Sequence, residues 1–171
     1  MKLYRDIISG DEMFSDIYKI TESPDGVFYE VEGKLVTRSD NIDESVFAGN
    51  PSAEGSEQCD DGTSVSGVDI VLNHKLQSVA YTKDAYKGCI KGYTKMLRDR
   101  LAADNPEKAK DFVVKAQKEF KSYILPKLKE CEYFLGESMN HDAMVALLDY
   151  REDGNTPYMI FFKDGLEMEK C

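Results

Sequence analysis

The chain has 171 residues, 42% of them hydrophobic and 11% aromatic, with 32 acidic against 22 basic side chains for a net charge of −10. That suits one folded domain. No apolar run approaches the ~20 residues of a membrane span, Met1-Lys2-Leu3-Tyr4-Arg5-Asp6 is too polar for a signal peptide, and overall acidity argues against specific nucleic-acid binding.

Short β-like runs come first, at Leu3-Tyr4, at Ile7-Ile8, over residues 14–20 and over residues 27–36, with Glu32-Gly33-Lys34 as a turn. Residues 39–66 hold no Lys or Arg but carry Asp40, Asp43, Glu44, Glu54, Glu57, Asp60 and Asp61. With little apolar surface to bury, this segment reads as a mobile acidic loop. Strands are expected again over 68–72 and 76–81.

Residues 82–130 read as a basic helical hairpin. Tyr86, Ile90, Tyr93, Leu97 and Leu101 recur at spacings of four and three and form one apolar stripe. Thr82 suits the N-cap, and Asp84 the first turn. Lys83, Lys87, Lys91 and Lys95 form a separate row, continued by Arg98. Asn105 caps the next helix with Pro106 at its first position. Its buried stripe is Ala109, Phe112, Val113, Ala116, Phe120, Tyr123 and Ile124, and Pro126 is expected to end or kink it. After Cys131, strands are expected over 133–135, 144–148 and 158–162, with turns at 151–155 and Asp164-Gly165. The whole reads as α+β, mostly antiparallel sheet with an inserted helical hairpin.

Charge is distributed unevenly. Residues 83–130 hold 13 basic and 7 acidic side chains, a net of +6, while the other 123 residues hold 9 and 25, a net of −16. Such a field steers partners by charge, and the partner it favours is an acidic surface.

Signatures of catalysis are missing. There is no GxxxxGK, GxGxxG, HExxH or GxSxG pattern. His74, between Asn73 and Lys75, reads as a surface residue, and His141 beside Asp142 as part of a solvated turn. Cys89 lies near Lys87 and Lys91, cations that favour a thiolate, but reads first as a small residue at a helix boundary. No enzyme activity is expected. Cys59, Cys89, Cys131 and Cys171 are scattered without a Cys-x-x-Cys pair, so they read as reduced thiols without zinc. Cys171, at the terminus, is a candidate for oxidative dimerisation outside the cytosol, with a monomer expected under reducing conditions. Calcium has oxygen-rich candidates at residues 40–44 and at Asp149, Glu152 and Asp153. Neither has EF-hand spacing, since Ile160 stands where the closing glutamate belongs, so any binding is expected to be weak, above roughly 10⁻⁵ M.

Four stretches resemble the translationally controlled tumour protein family. They are Tyr4-Arg5-Asp6-Ile7-Ile8-Ser9 with Asp11-Glu12-Met13-Phe14-Ser15-Asp16, then Ala48-Gly49-Asn50-Pro51-Ser52-Ala53-Glu54-Gly55, then Tyr81-Thr82-Lys83-Asp84-Ala85-Tyr86, and the close from Met144-Val145-Ala146-Leu147-Leu148 through Cys171. The resemblance covers essentially the whole chain. It implies a tent-like β fold related to a zinc-containing nucleotide-exchange chaperone, here without zinc. It also implies calcium binding, cytoplasmic location with non-classical secretion, and growth-promoting and anti-apoptotic roles through apoptosis regulators. Tubulin association in this family maps to the helical region, which points to Lys83, Lys87, Lys91, Lys95 and Arg98. The alternative is regulation of a Ras-like small GTPase, for which Glu12 matches a family position implicated in nucleotide exchange. Gly88, Cys89 and Gly92 depart from the bulkier or charged residues of relatives. Phe28 stands where some members carry cysteine, so a redox role at that position does not transfer.

Overall fold

The strand Pro157–Phe162 is buried at every one of its six positions, so it must be covered on both faces. The ring of Phe161 meets Phe14 with centroids 4.7 Å apart, and that of Phe162 meets Tyr93 at 5.4 Å. Successive side chains of a strand point to opposite faces, and here the two faces meet different layers. The computed structural model describes residues 1–39 and 64–170, and within them the layers are clear.

The strands are β1 (Lys2–Asp6), β2 (Glu12–Ser15), β3 (Lys19–Glu22), β4 (Phe28–Glu32), β5 (Leu35–Ser39) and β6 (Ser64–Val68). A short helix α1 (Asp69–His74) and β7 (Gln77–Val79) follow, then the long helices α2 (Lys83–Asp104) and α3 (Pro106–Glu119). The chain closes with β8 (Glu132–Leu135), β9 (Ala146–Tyr150), β10 (Pro157–Phe162) and β11 (Leu166–Lys170). A six-stranded sheet runs β3-β4-β10-β9-β8-β7, a three-stranded sheet runs β11-β1-β2, and β5 pairs with β6. Every strand pair is antiparallel, in agreement with the α+β reading.

The register of β10 on β4 sets Phe161 opposite Tyr29 and Phe162 opposite Phe28. Phe161 and Tyr29 face the small sheet, where Tyr4 stacks on Phe14 at 4.6 Å. Phe28 and Phe162 face the helices, through Tyr123 and Tyr93. The core is thus two apolar layers on either side of one central strand.

The hairpin forms with the expected caps, and its buried stripes are shorter than expected, since Leu101, Val113, Phe120 and Tyr123 are only half-buried. The Thr82 hydroxyl accepts the Ala85 amide at 3.0 Å, and Asn105 accepts the amides of Glu107 and Lys108. Tyr86, Ile90, Tyr93 and Leu97 are buried on α2, and Ala109, Phe112 and Ala116 on α3. Helix α3 ends earlier than Pro126. Residues Phe120–Ile124 widen into a π turn in which the Leu125 amide reaches back to the Phe120 carbonyl, and Leu125–Glu130 tighten into a 3₁₀ helix. A proline ring clashes with the carbonyl four residues earlier, so the backbone adjusts before the ring is reached.

Some boundaries differ from the sequence expectation. Residues 68–72 are not a strand: Val68 closes β6 and the remainder opens α1. A short apolar run fits either state, and here Ile70 and His74, four residues apart, share the buried face of a helix. Ile7-Ile8 is a turn, since Asp6 accepts the Ile8 amide at 2.9 Å and folds the chain out of β1. The acidic segment is also shorter at both ends, because Ser39 closes β5 and Ser64 opens β6. Its remaining residues, 40–63, lie outside the described residues.

Candidate functional site

Burying the tyrosine and leucine stripe of α2 turns its lysine row outward. Lys83, Lys91, Lys95 and Arg98 are exposed and Lys87 is half-buried. Arg98 pairs with its neighbour Asp99 at 3.2 Å, whereas the four lysines form no ion pair among the described residues. Their charge is therefore offered to solvent.

Between α2 and α3 this row borders a groove of about 350 Å³. Ile90, Val113, Phe120 and Phe162 supply apolar walls, and Lys121 adds a cation from beyond the end of α3. Val113 and Phe120 were expected in the buried stripe, yet they are only half-buried and line the groove instead. Periodicity along one helix marks its apolar face but not where two helices diverge, so the lysine row was legible and the groove beside it was not.

Glu12 opens β2 and is more constrained than a free turn acid. Its carboxylate lies 3.6 Å from Arg5 Nη2 and 3.4 Å from His74 Nδ1, and its side chain is 37% exposed. Arg5 in turn holds Glu169 at 2.6 Å. His74 is not the surface residue its polar neighbours suggested: it is 8% exposed, because α1 rotates it onto the face of Ile70. Burial lowers its pKa, opposed by the hydrogen bond and charge of Glu12. The Tyr18 hydroxyl lies 3.5 Å from its other ring nitrogen and accepts from Asn73 at 2.7 Å.

Beyond the end of α3 is a network that sequence patterns did not announce. Arg151 binds Glu30 at 2.8 Å and Glu32 at 3.4 Å, and lies over the Tyr158 ring at 4.0 Å. Tyr123 donates to Glu30, and Lys127 lies 4.0 Å over the Tyr123 ring. Burial pushes the Glu30 carboxyl up, but the Tyr123 hydroxyl and the Arg151 guanidinium together hold it below the usual range. Tyr123 thus ties the π turn to β4, and Lys127, which donates to the Tyr158 hydroxyl at 3.0 Å, ties the 3₁₀ segment to β10.

The calcium candidates find no support among the described residues, where no group of three or more His, Cys, Asp or Glu is placed to hold an ion. Asp153 spends its oxygens on the Asn155 and Thr156 amides and the Thr156 hydroxyl, and Asp149 accepts from Tyr158. The Asp149 and Asp153 carboxylates thus stabilise the β9–β10 turn. Residues 40–44 and Cys171 lie outside the described residues. No helix among the described residues is long and apolar enough to cross a membrane.

Comparison with known proteins covers the chain from end to end. The family model described as translationally controlled tumour protein matches residues 1–167. The chain is 57% identical over 173 residues to the translationally-controlled tumor protein of Homo sapiens and 55% identical over 172 residues to the homolog of Danio rerio, covering all of both chains in each case. Its fold is similar to the p23fyp structure from Schizosaccharomyces pombe, with a TM-score of 0.80, 42% identity and full coverage of both chains. It is also similar to the structure from Caenorhabditis elegans, with a TM-score of 0.72, 33% identity and coverage of 100% of this chain and 99% of that one. The chain belongs to the translationally controlled tumour protein family.

Proposed function

We propose that this protein is a non-enzymatic adaptor that associates with tubulin and microtubules through the solvent face of α2. The observation that carries the reading is the row Lys83, Lys87, Lys91 and Lys95, outward-facing and free of ion pairs among the described residues. It sits in a segment of net +6 on a chain that is otherwise −16. An exposed cationic face meets an acidic polymer by steering, so the contact is fast and sensitive to salt, with charges acting over about 8 Å at physiological ionic strength. Replacing all four lysines with glutamate, with circular dichroism confirming the fold, should sharply reduce microtubule co-sedimentation. Unchanged sedimentation of the folded variant would remove the reading.

Regulation of a Ras-like small GTPase is the second reading, and the clamped position of Glu12 favours it. A carboxylate held by Arg5 and His74 on a strand edge is pre-oriented toward a partner, and an acid so placed can compete for a nucleotide's magnesium. Nucleotide release measured with wild type and with Glu12→Val decides it, equal rates removing the hypothesis. Weak calcium binding, a cytoplasmic site of action and anti-apoptotic partnership complete the proposed picture.

A further inference from the structure

The groove between α2 and α3 is apolar in its walls and cationic on its rim. Ile90, Val113, Phe120 and Phe162 form the walls, and Lys87, Lys91, Lys95, Arg98 and Lys121 stand around them. No Asp or Glu among the described residues lines it. A surface selected only to stay soluble has no need to collect cations from two segments around half-buried aromatic and aliphatic carbon. Its volume, about 350 Å³, is at the low end of ligand-binding clefts, enough for one large side chain rather than a whole small domain.

The rim is also linear. Lys87, Lys91 and Lys95 recur every fourth residue along α2, about 6 Å apart at ~1.5 Å rise per residue. From Lys87 to Arg98 the row runs about 16 Å, the length of about five residues of extended chain. A compact anion would engage one or two of these cations. A chain carrying repeated carboxylates would engage all of them.

We propose that the groove is a docking site for a linear acidic segment of a partner protein, and that it selects segments in which one large apolar side chain, aromatic or long aliphatic, stands among the acids. The inference deepens the proposed function, resting on the reading that the lysine row receives an acidic partner. It adds that charge brings the segment in while the groove decides which segment stays. Burying one such side chain removes apolar area from water and lengthens residence without adding charge. The two contributions therefore separate by salt: the ionic part weakens as salt rises and the apolar part does not.

Two nine-residue peptides test this on the full-length protein, eight glutamates around a central Phe and the same peptide with Ala in its place. Fluorescence anisotropy should give the Phe peptide at least about tenfold tighter binding. The ratio should persist between roughly 0.05 and 0.5 M salt while both affinities fall. Val113→Gln should abolish the preference, and the milder Val113→Thr should reduce it, with thermal melts confirming the fold of each. In NMR the Ile90 and Val113 methyl groups should shift with the Phe peptide. Equal affinity for both peptides overturns the inference and leaves the tubulin reading standing on charge alone. Binding of neither peptide overturns it, and microtubule co-sedimentation then judges the tubulin reading separately. Methyl shifts produced by laurate but by neither peptide would assign the groove to lipid-like anions. Shifts that follow protein concentration alone would assign it to a second copy of this chain, and either result overturns the proposal.

Discussion

The Glu119 carboxylate, at the end of α3, accepts the Ser23 hydroxyl and, at 3.2 Å, the Val27 amide, although Glu119 is 1% and Ser23 4% exposed. The same hydroxyl accepts the Phe28 amide at 3.0 Å. One buried acid thus fastens the helical hairpin to the β3–β4 turn.

Removing that acid orphans two donors inside the fold. A buried donor without a partner costs roughly 1–3 kcal/mol, so Glu119→Ala should destabilise the protein by about 2 kcal/mol in urea unfolding. Ser23→Ala should cost about 1 kcal/mol. Because the two side chains share one hydrogen bond, the double variant should lose less than the sum. Strict additivity would show that the Ser23–Glu119 bond contributes nothing of its own.

Gly88 and Gly92 lie in the middle of α2 with nothing within 4 Å of an added Cβ. Alanine at either position should stabilise the helix by about 1 kcal/mol. For a domain of this length that raises Tm by about 2–4 °C per site. A fall in Tm at either position would overturn the expectation that the added methyl group meets only solvent.

What the sequence made legible were the features written locally. The Thr82 and Asn105 caps, the lysine row and the α2 stripe depend on spacing within one segment, and all of them appear in the structure. Positions that depend on two segments were harder. His74 sits among Asn73 and Lys75, and its burial follows only from α1 being a helix that packs against Tyr18 and Glu12. Glu119 looks like any acid at the end of a basic helix, since its partners Ser23 and Val27 lie more than ninety residues away. The groove depends on how far α2 and α3 diverge near Val113 and Phe120, which no single stripe encodes.

Of the two described thiols, Cys131 should be inert. It is 9% exposed, and burial, helped by the charge of Asp149, pushes its pKa up to about 12. The thiolate is the reactive form. Cys89 is half-buried on α2 and should react at least about tenfold faster with iodoacetamide at pH 8, as read by peptide mass spectrometry. Comparable rates at the two sites would mean that the segment Leu125–Glu130 opens often enough to expose Cys131.

The pH response of stability should pass through His74. Burial lowers its pKa from the ordinary 6.5, against the opposing hydrogen bond and charge of Glu12 and the charge of Asp69. Arg5, also paired with Glu12, tempers the acid's pull, while the Tyr18 hydroxyl, itself accepting from Asn73, offers the ring a neutral partner. Below about pH 6.5 the unfolded chain binds a proton at this histidine more readily than the folded one, so protonation draws the equilibrium toward unfolding. The contribution of neutral His74 is thus present above pH 6.5 and is lost as pH falls through the lower folded-state value. Melting temperature should decline over that interval, and His74→Gln should flatten this part of the profile. Glu12→Gln removes the carboxylate that favours the charged ring, so it should depress the His74 pKa further, as followed by NMR of the imidazole. A His74 titration at or above 6.5 would show that the Glu12 pair outweighs burial, and one that rises in Glu12→Gln would show that the carboxylate does not favour the charged ring.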